Sequence, residues 1–357
     1  MDSRAPVVDT ADLLQWATAV LVAVGTPDDI AAETSRHLVG ANRAGHDSHG
    51  VQRLPGYLAD VAQGELHPAA RPRVVRSRPG SMLVDAQRGF GAYSTAWVAN
   101  ELTDLAGRQG VAFAAVRQSC HIGRLGHYAE LCAGHGLISI TAVGMAGDGV
   151  GATVIPGTSR RFLGANPYAI GVPTNAEPMI VDLSTATVAE GKIMLARSRG
   201  DSVPEGLIVD RDGHPSTVPD DYFAGGGLLP LGGVLSGYKG FGLGLAAALL
   251  GSLAVIDDAD PTMIGAGVTA GADPVGRTAG VAMVVLDPAA FGDPEAYAAH
   301  ASDTVAALRR RGGVSPGDPE RAARRERETA VELPGPTREA LVEVGREYGV
   351  PWPGERR

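Results

Sequence analysis

The sequence predicts an α/β fold, with a mixed sheet in the middle of the chain and a second, discontinuous layer of helices contributed by both chain ends. Two observations carry this. Short runs rich in β-branched and apolar residues alternate with helical segments through the middle of the chain, whereas the first 65 residues and the tail from Ser315 are helix-patterned. The resulting division is a helical segment over 1–75, a mixed α/β segment over 76–295 and a second helical segment over 296–357.

In chain order, Thr10 precedes an apolar-rich run to Val24 that reads as a helix. Thr26-Pro27-Asp28-Asp29 reads as an N-cap, an N1 proline and an acidic first turn for a second helix ending near Gly45. Strands are expected at 82–86 (MLVDA), 111–117 (VAFAAVR) and 137–143 (LISITAV), with helices at 93–109 and 124–134 between them. The loop-rich stretch 150–235 carries strand candidates at 168–173 and 178–183, and Asp210-Arg211-Asp212-Gly213 is a turn signal. An apolar helix then starts near Lys239, followed by a strand at 280–287, a helix from Pro294 to Arg311 and a tail that is helical in two pieces. No internal repeat is present.

Composition narrows the function classes. Hydrophobic residues make up 44% and charged residues 20% of the 357, which is the profile of an ordinary globular chain. A net charge of −9 supplies no broad phosphate-neutralising surface, so a nucleic-acid partner is not expected. Arg309-Arg310-Arg311 close a predicted helix, where cations suit the macrodipole, and the arginines of RAARRERE from Arg321 read as a solvated helix face. The two cysteines, Cys120 and Cys132, suit a reducing compartment and are spaced wrongly for a zinc knuckle; no metal-ligand set is expected. MDSRAPVVDT lacks an apolar run of signal-peptide length, and FGLGLAAALLGSLAVI is shorter than a bilayer span and reads as a buried helix. The expectation is a cytoplasmic protein with no membrane partner.

No glycine cluster opens a helix after a strand as G-x-G-x-x-G does. Gly147 to Gly151 leads into Ala-Thr-Val-Ile-Pro, Gly240 to Gly244 lies within the apolar helix, and Gly265 to Gly271 is spaced wrongly. Any dinucleotide would therefore bind without the Rossmann turn. Walker, His-Glu-x-x-His and Gly-x-Ser-x-Gly patterns are also missing, which removes the commonest NTPase, zinc-protease and hydrolase readings.

Three constellations could carry chemistry. In DSHGVQRLPGY, a helix over 48–58 would put His49, Arg53 and Tyr57 on one face, with a kink at Pro55. Arginine is the preferred partner of a planar carboxylate because its fork donates two parallel hydrogen bonds. The same spacing also describes a solvated helix face. The segment SCHIGRLGHY follows the strand VAFAAVR, which puts His121 at a carboxyl end where ligands gather, and imidazole titrates in the range useful for proton transfer. A structural histidine fits that place too; His127 and His135 read as surface residues. The third set is distributed over GANP, VDLST and GYKG. There Asp182 with Ser184 and Thr185 can cap a helix, and Lys239 at a helix start opposes the dipole, which calls for an anionic partner: a cofactor phosphate or a nearby carboxylate.

Together these segments resemble the malate/L-lactate dehydrogenase-like family of NAD(P)-dependent oxidoreductases, which includes sulfolactate and ureidoglycolate dehydrogenases and piperideine-2-carboxylate reductases. The motifs are DSHGVQRLPGY, SCHIGRLGHYAE, LGANPYAIGVPT, IVDLSTATVAEGK, LLPLGG, GYKGFGLGL and PGDPERAARRERE, in family order over nearly the whole chain. The resemblance implies a non-Rossmann mixed-sheet nucleotide-binding domain beside a helical domain made from both chain ends, and a homodimer with active sites between domains and subunits. It further implies NAD or NADP as cofactor and His121 as the catalytic acid/base. Ser48, His49, Arg53 and Tyr57 are implied as substrate contacts, and Asn166, Asp182, Leu183, Ser184, Lys239 and Gly240 as part of the cofactor site. The sequence departs from the family at Val143-Gly144-Met145-Ala146-Gly147-Asp148, at Pro156-Gly157-Thr158 and at Val234-Leu235-Ser236, which leaves the substrate and the choice of cofactor open.

The implied chemistry is hydride exchange between NAD(P)H and a small 2-oxo or 2-hydroxy acid, a carboxylate partner held by Arg53. Reduction of a cyclic 2-imino acid is the alternative within the enzyme class. A non-catalytic dimeric relative is the rival outside it.

Overall fold

The computed structural model describes residues 7–256 and 279–353. The glycine stretch Gly265 to Gly271 lies outside the described residues. The chain begins with strand β1 (Val7–Asp9) and helices α1 (Thr10–Ala23) and α2 (Asp28–Arg43). Asp9 caps α1 by accepting from the amides of Ala11 and Asp12. Leu13, Trp16, Ala17, Val20 and Leu21 form its buried stripe at helical spacing. The cap expected at Thr26 is not made: Pro27 is extended, α2 starts one residue later, and the buried Thr26 hydroxyl has no hydrogen-bond partner among the described residues.

The stretch from Asp47 is not one helix. Two 3-10 turns, Asp47–His49 and Val51–Arg53, precede helix α3 (Leu54–Ala62). Pro55 stands in the first turn of α3, where its missing N–H costs nothing, so it starts a helix instead of kinking one. An extended Gly50 between the two turns breaks the helical register that the spacing suggested.

Strands β2 (Arg73–Arg78) and β3 (Ser81–Asp85), helix α4 (Gly91–Gln109), β4 (Val111–Ser119), α5 (Gly126–Gly134) and β5 (Ile138–Gly144) follow. Next come β6 (Thr153–Val154), β7 (Arg161–Leu163), β8 (Tyr168–Val172) and β9 (Met179–Leu183). A small subdomain adds α6 (Glu190–Arg199), β10 (Ile208–Val209), β11 (Pro215–Ser216), α7 (Pro219–Phe223) and β12 (Gly227–Leu228). Its hairpin turns at the predicted Asp210, whose carboxylate accepts from the amides of Asp212 and His214. The chain continues through α8 (Gly233–Ser252), β13 (Ala279–Leu286), α9 (Pro294–Arg310), α10 (Asp318–Glu326), β14 (Ala330–Glu332) and α11 (Gly335–Glu347).

The seven-stranded sheet has the order β2-β3-β4-β13-β5-β8-β9. Only β3 and β4 are parallel, joined across α4; the other pairs are antiparallel. This is a mixed sheet. The edge strand β2, RVVRSR, is exposed throughout and was not legible as a strand. Val281, Met283 and Val285 of β13 join the core beneath α4 and α5, while Gly280 of the same strand meets Gly251 of α8 on the other face.

The apolar helix is longer than its sequence suggested, because Gly233–Ser252 continues through a 3-10 turn to Val255 and makes 23 residues, long and apolar enough for a bilayer. Only one face is buried. That face is small: Gly237, Gly240, Gly244, Ala247, Ala248 and Gly251, repeating at helical spacing. Leu235, Leu243 and Leu249 face outward.

Residues 8–66 and 331–352 contribute to one apolar cluster, so the two chain ends share a core. Strand β1 pairs with β14, and the indole of Trp16 donates to the Val350 carbonyl at 3.1 Å. The arginines of α10 are not a solvated face. Arg324 pairs with Glu130 at 2.6 Å, Arg321 donates to the Pro178 carbonyl at 2.8 Å, and Arg327 reaches the Asn42 carbonyl at 2.7 Å. They fasten the tail to α5, β9 and α2.

The contact of α8 with the sheet yields a test. A Cβ on Gly144 would lie 2.2 Å from the backbone nitrogen of Ala248, whereas one on Gly242 would meet nothing within 4 Å. Gly144→Ala should lower the unfolding free energy by about 1–3 kcal/mol through overpacking. Gly242→Ala should leave stability unchanged or raise it by up to about 1 kcal/mol. Equal denaturation midpoints for the two variants would refute the packing described.

Candidate active site

The two 3-10 turns are held from outside by the helical layer. Asn42 on α2 donates through Nδ2 to Asp47 at 2.7 Å and accepts through Oδ1 from the Val51 amide at 2.9 Å. A Cβ on Gly50 would fall 2.2 Å from that same Oδ1, so only glycine fits between the turns. Arg327, from the far end of the chain, completes the clasp on Asp47 at 3.1 Å. Asp47 is thus an anchor, and the residues after it carry the chemistry.

Inside this frame the Ser48 hydroxyl lies 3.0 Å from His49 Nδ1, and Arg53 Nε donates to the Ser48 carbonyl at 2.6 Å. The His49 and His121 rings are stacked with centroids 5.5 Å apart. His121 Nδ1 shares a 2.8 Å hydrogen bond with the Tyr57 hydroxyl. Tyr57 is buried, and its ring meets Phe90 edge-on at 6.0 Å. His121 Nε2 carries no hydrogen bond among the described residues. Five of the residues singled out in the sequence, Ser48, His49, Arg53, Tyr57 and His121, therefore meet in one place. The turns and α3 bring four of them; the end of β4 brings the fifth.

Strand β4 is shaped to aim His121. Its pairing with β13 slips between Ala279 and Val281, and Gln118 takes a left-handed φ of 53°, as at a bulge. Gly91 at the start of α4 lets the turn approach closely, since a Cβ there would lie 2.4 Å from the His121 carbonyl. Behind the turn, His37 of α2 accepts from the Arg124 amide at 2.9 Å, and Gly123 with φ +70° leaves room for that ring. His37 escaped the sequence reading because a single histidine on an amphipathic helix carries no signal; the small residue in HIGR was the one clue. His127, expected at the surface, is half-buried, 4.8 Å from the His37 ring and 3.5 Å from Glu33. His135 is exposed, as expected.

Burial sets the protonation of the site. It is the main cause that holds His121 well below the ordinary histidine range, with Arg53 and then His49 adding to the effect. His49 is lowered to about 3, again first by burial and next by Arg53. Both rings are neutral at pH 7. The neighbouring Cys120 thiol is pushed up to about 12 by burial and stays protonated.

The distributed set is placed differently. Asn166, at a left-handed φ of 38°, clasps both backbone groups of Met145 and donates to the Gly244 carbonyl of α8 at 2.7 Å. Asp182 does act as a cap, but for α5: it accepts from the Gly126 amide at 2.7 Å, just after the His121 turn. Ser184 donates to the Ala165 carbonyl at 3.1 Å. Gly240 is required by close approach, because a Cβ would lie 2.3 Å from the Leu231 carbonyl. These residues brace β9, the 164–166 turn and α8 against each other. Leu183 ends β9 half-buried. Lys239 lies exposed in the first turn after a break at Ser236, meets no carboxylate among the described residues and hangs over the Tyr238 ring at 5.9 Å. A cation at this point fits an anionic group, either a carboxylate or a nucleotide phosphate.

With this geometry in hand, comparison with known proteins is informative. The model of the malate/L-lactate dehydrogenase family matches residues 8–342. The chain is 35% identical over 340 residues to the (2R)-3-sulfolactate dehydrogenase (NADP(+)) of Chromohalobacter salexigens, covering 94% of this chain and 95% of that one. It is 33% identical over 250 residues to the Δ1-pyrroline-2-carboxylate/Δ1-piperideine-2-carboxylate reductase of Pseudomonas syringae pv. tomato, covering 70% and 71%. The solved sulfolactate dehydrogenase of Methanocaldococcus jannaschii superposes with a TM-score of 0.84 at 27% identity, over 97% of this chain and 98% of that one. The named relatives are dehydrogenases and reductases, which implies a nicotinamide cofactor. The chain belongs to the malate/L-lactate dehydrogenase family of oxidoreductases, acting on CH–OH or C=N groups.

Proposed function

We propose that the protein interconverts a small 2-hydroxy acid and its 2-oxo acid with NAD or NADP. The observation that carries this is the convergence of Arg53, His49 and His121 Nε2 in one site. When bound, the nicotinamide supplies or takes the hydride. Lys239 would meet a phosphate of the cofactor, while Asn166, Asp182, Leu183, Ser184 and Gly240 form the wall of its site.

Arg53 holds the substrate carboxylate. Its Nε donates to the Ser48 carbonyl, which orients the guanidinium, and the pair it forms with the carboxylate fixes the reacting carbon. In oxidation, neutral His121 accepts the hydroxyl proton at Nε2 as the C–H bond breaks. In reduction, protonated His121 returns that proton to the developing alkoxide. Ser48 and His49 orient the same oxygen. Reduction of a cyclic 2-imino acid is the second reading, favoured by the likeness to the pyrroline- and piperideine-carboxylate reductase. An iminium carries its own proton, so loss of His121 would matter less there.

The chain divides on this reading into the helical pieces 1–75 and 296–357 and the cofactor-binding piece 76–295. The large apolar side chains on the outer face of α8, with Leu235 95% exposed, support a homodimer. Its two buried cysteines, neither in a disulfide, suit the cytoplasm.

Four outcomes are expected. His121→Asn should lower the turnover of a 2-hydroxy acid on the order of 100 to 10,000-fold. Because burial lowers the pKa of His121, kcat/KM for oxidation should stay level from pH 8 down to 6.5 and fall only below that range, as the ring gains a proton. A limb centred above the ordinary histidine value, or near-wild-type turnover in the variant, would remove His121 from this role. Arg53→Lys, which keeps the charge and loses the fork, should raise KM for the carboxylate about tenfold or more; unchanged kinetics would place the carboxylate elsewhere. Sedimentation at micromolar concentration should give twice the 36.6 kDa chain mass, and a monomer there would end the dimer reading.

A further inference from the structure

We propose that Tyr57 is a positioning residue for His121: its phenol accepts a hydrogen bond from Nδ1–H throughout the reaction and so leaves Nε2 as the atom that gives and takes the proton. The inference rests on the acid/base role proposed for His121. It replaces the substrate contact that the sequence suggested for Tyr57.

The geometry points this way on three counts. Tyr57 is 2% exposed and its hydroxyl is 2.8 Å from Nδ1, on the inner side of the ring, while Nε2 carries no partner among the described residues. The phenol is packed between the imidazole and Phe90, each ring centroid 6.0 Å from its own. The bond also crosses from α3 of the helical layer to the end of β4, so it registers the turn that carries Arg53 against the strand that carries His121.

A neutral imidazole has two tautomers, and a partner at one nitrogen selects between them. Catalysis in both directions requires Nδ1–H in the charged and the neutral ring alike. In oxidation the substrate O–H bond breaks and an Nε2–H bond forms; in reduction Nε2–H breaks and the alkoxide gains the proton. Nδ1–H is a spectator in each. If the ring settled with its proton on Nε2 instead, it could not accept one there. A carboxylate partner would fix the tautomer too, but it would raise the pKa of the ring. A phenol fixes it without adding charge. The groups facing His121 are His49 and Arg53 from the two turns, Tyr57 from α3 and His37 from α2, with protonated Cys120 beside it in the chain and no titratable side chain at Phe90 or Gly91 of α4. No carboxylate is among them.

The test is a double-mutant cycle with 15N-histidine NMR on the full chain, using NADH and NADPH fluorescence titration as a control for folding and cofactor binding. Tyr57→Phe should lower kcat on the order of tenfold with KM unchanged, and should add nothing when His121 is already Asn. In the wild type the neutral His121 ring should be protonated at Nδ1, and in Tyr57→Phe it should become a mixture of tautomers. An equal loss in both backgrounds, or a raised KM with kcat intact, would overturn the proposal. If Tyr57→Phe does not fold, the wild-type spectrum alone decides, and a neutral ring protonated at Nε2 overturns it. If His121→Asn retains turnover, the acid/base reading falls; the spectra still report whether Tyr57 selects the tautomer.

Discussion

The site depends on the side chain of Asn42. One amide, donating to Asp47 and accepting from the Val51 amide, forces Asp47 through Arg53 into two tight turns instead of a helix. Each bond is worth only about 1 kcal/mol net, but both are buried or half-buried, and losing either leaves a polar group unpaired at a cost of about 1–3 kcal/mol. Arg327 adds a third hold from the opposite end of the chain. That is why the chain ends must share a core: the strand pair β1–β14 and the Trp16–Val350 bond bring α10 to where its arginines can close the clasp. Stability and function meet here. The turns point Ser48, His49 and Arg53 inward only while the two termini stay together.

Electrostatics gives the assembled site a direction. A single guanidinium beside two stacked imidazoles helps keep both neutral, since each would gain a second positive charge close by. On the proposed reaction a carboxylate docks on Arg53 and offsets that charge. The penalty on protonating His121 then falls, so proton acceptance becomes easier when substrate is present than when it is absent. The same arrangement explains why the orienting partner at Nδ1 is a phenol. A carboxylate there would charge the ring before the substrate arrived.

Much of this was legible in the sequence. The central strands were, because β4, β5 and β13 are largely buried and read as short runs rich in β-branched and small apolar residues. His121 was legible from its place just past the carboxyl end of such a run. The edge strand β2 was not: RVVRSR is exposed along its length and has neither alternation nor a buried run to mark it. The helix assigned across DSHGVQRLPGY failed because spacing of four is ambiguous when a distant amide can capture the backbone. Asn42 lies outside the motif it shapes. Arg321, Arg324 and Arg327 misled for a related cause, since alternation with glutamate describes a solvated face and an interlayer clasp equally well.

The apolar helix shows what polarity patterns leave out. Scored by hydropathy, α8 is uniform, and nothing distinguishes the face that packs on the sheet. Scored by size it is sharply two-faced: glycine and alanine repeat on the buried side at 237, 240, 244, 247, 248 and 251. The reason lies across the contact, where Gly144 and Gly280 are small too and the backbones approach until no Cβ fits. Close approach, not bulk, is what this interface requires. It brings the Gly244 carbonyl within reach of Asn166, and through Asn166 it fixes the backbone of Met145. The abundance of glycine, which a compositional bias would also explain, is at these positions a geometric requirement. The backbone position of Met145 is therefore tied to the depth at which α8 lies on the sheet.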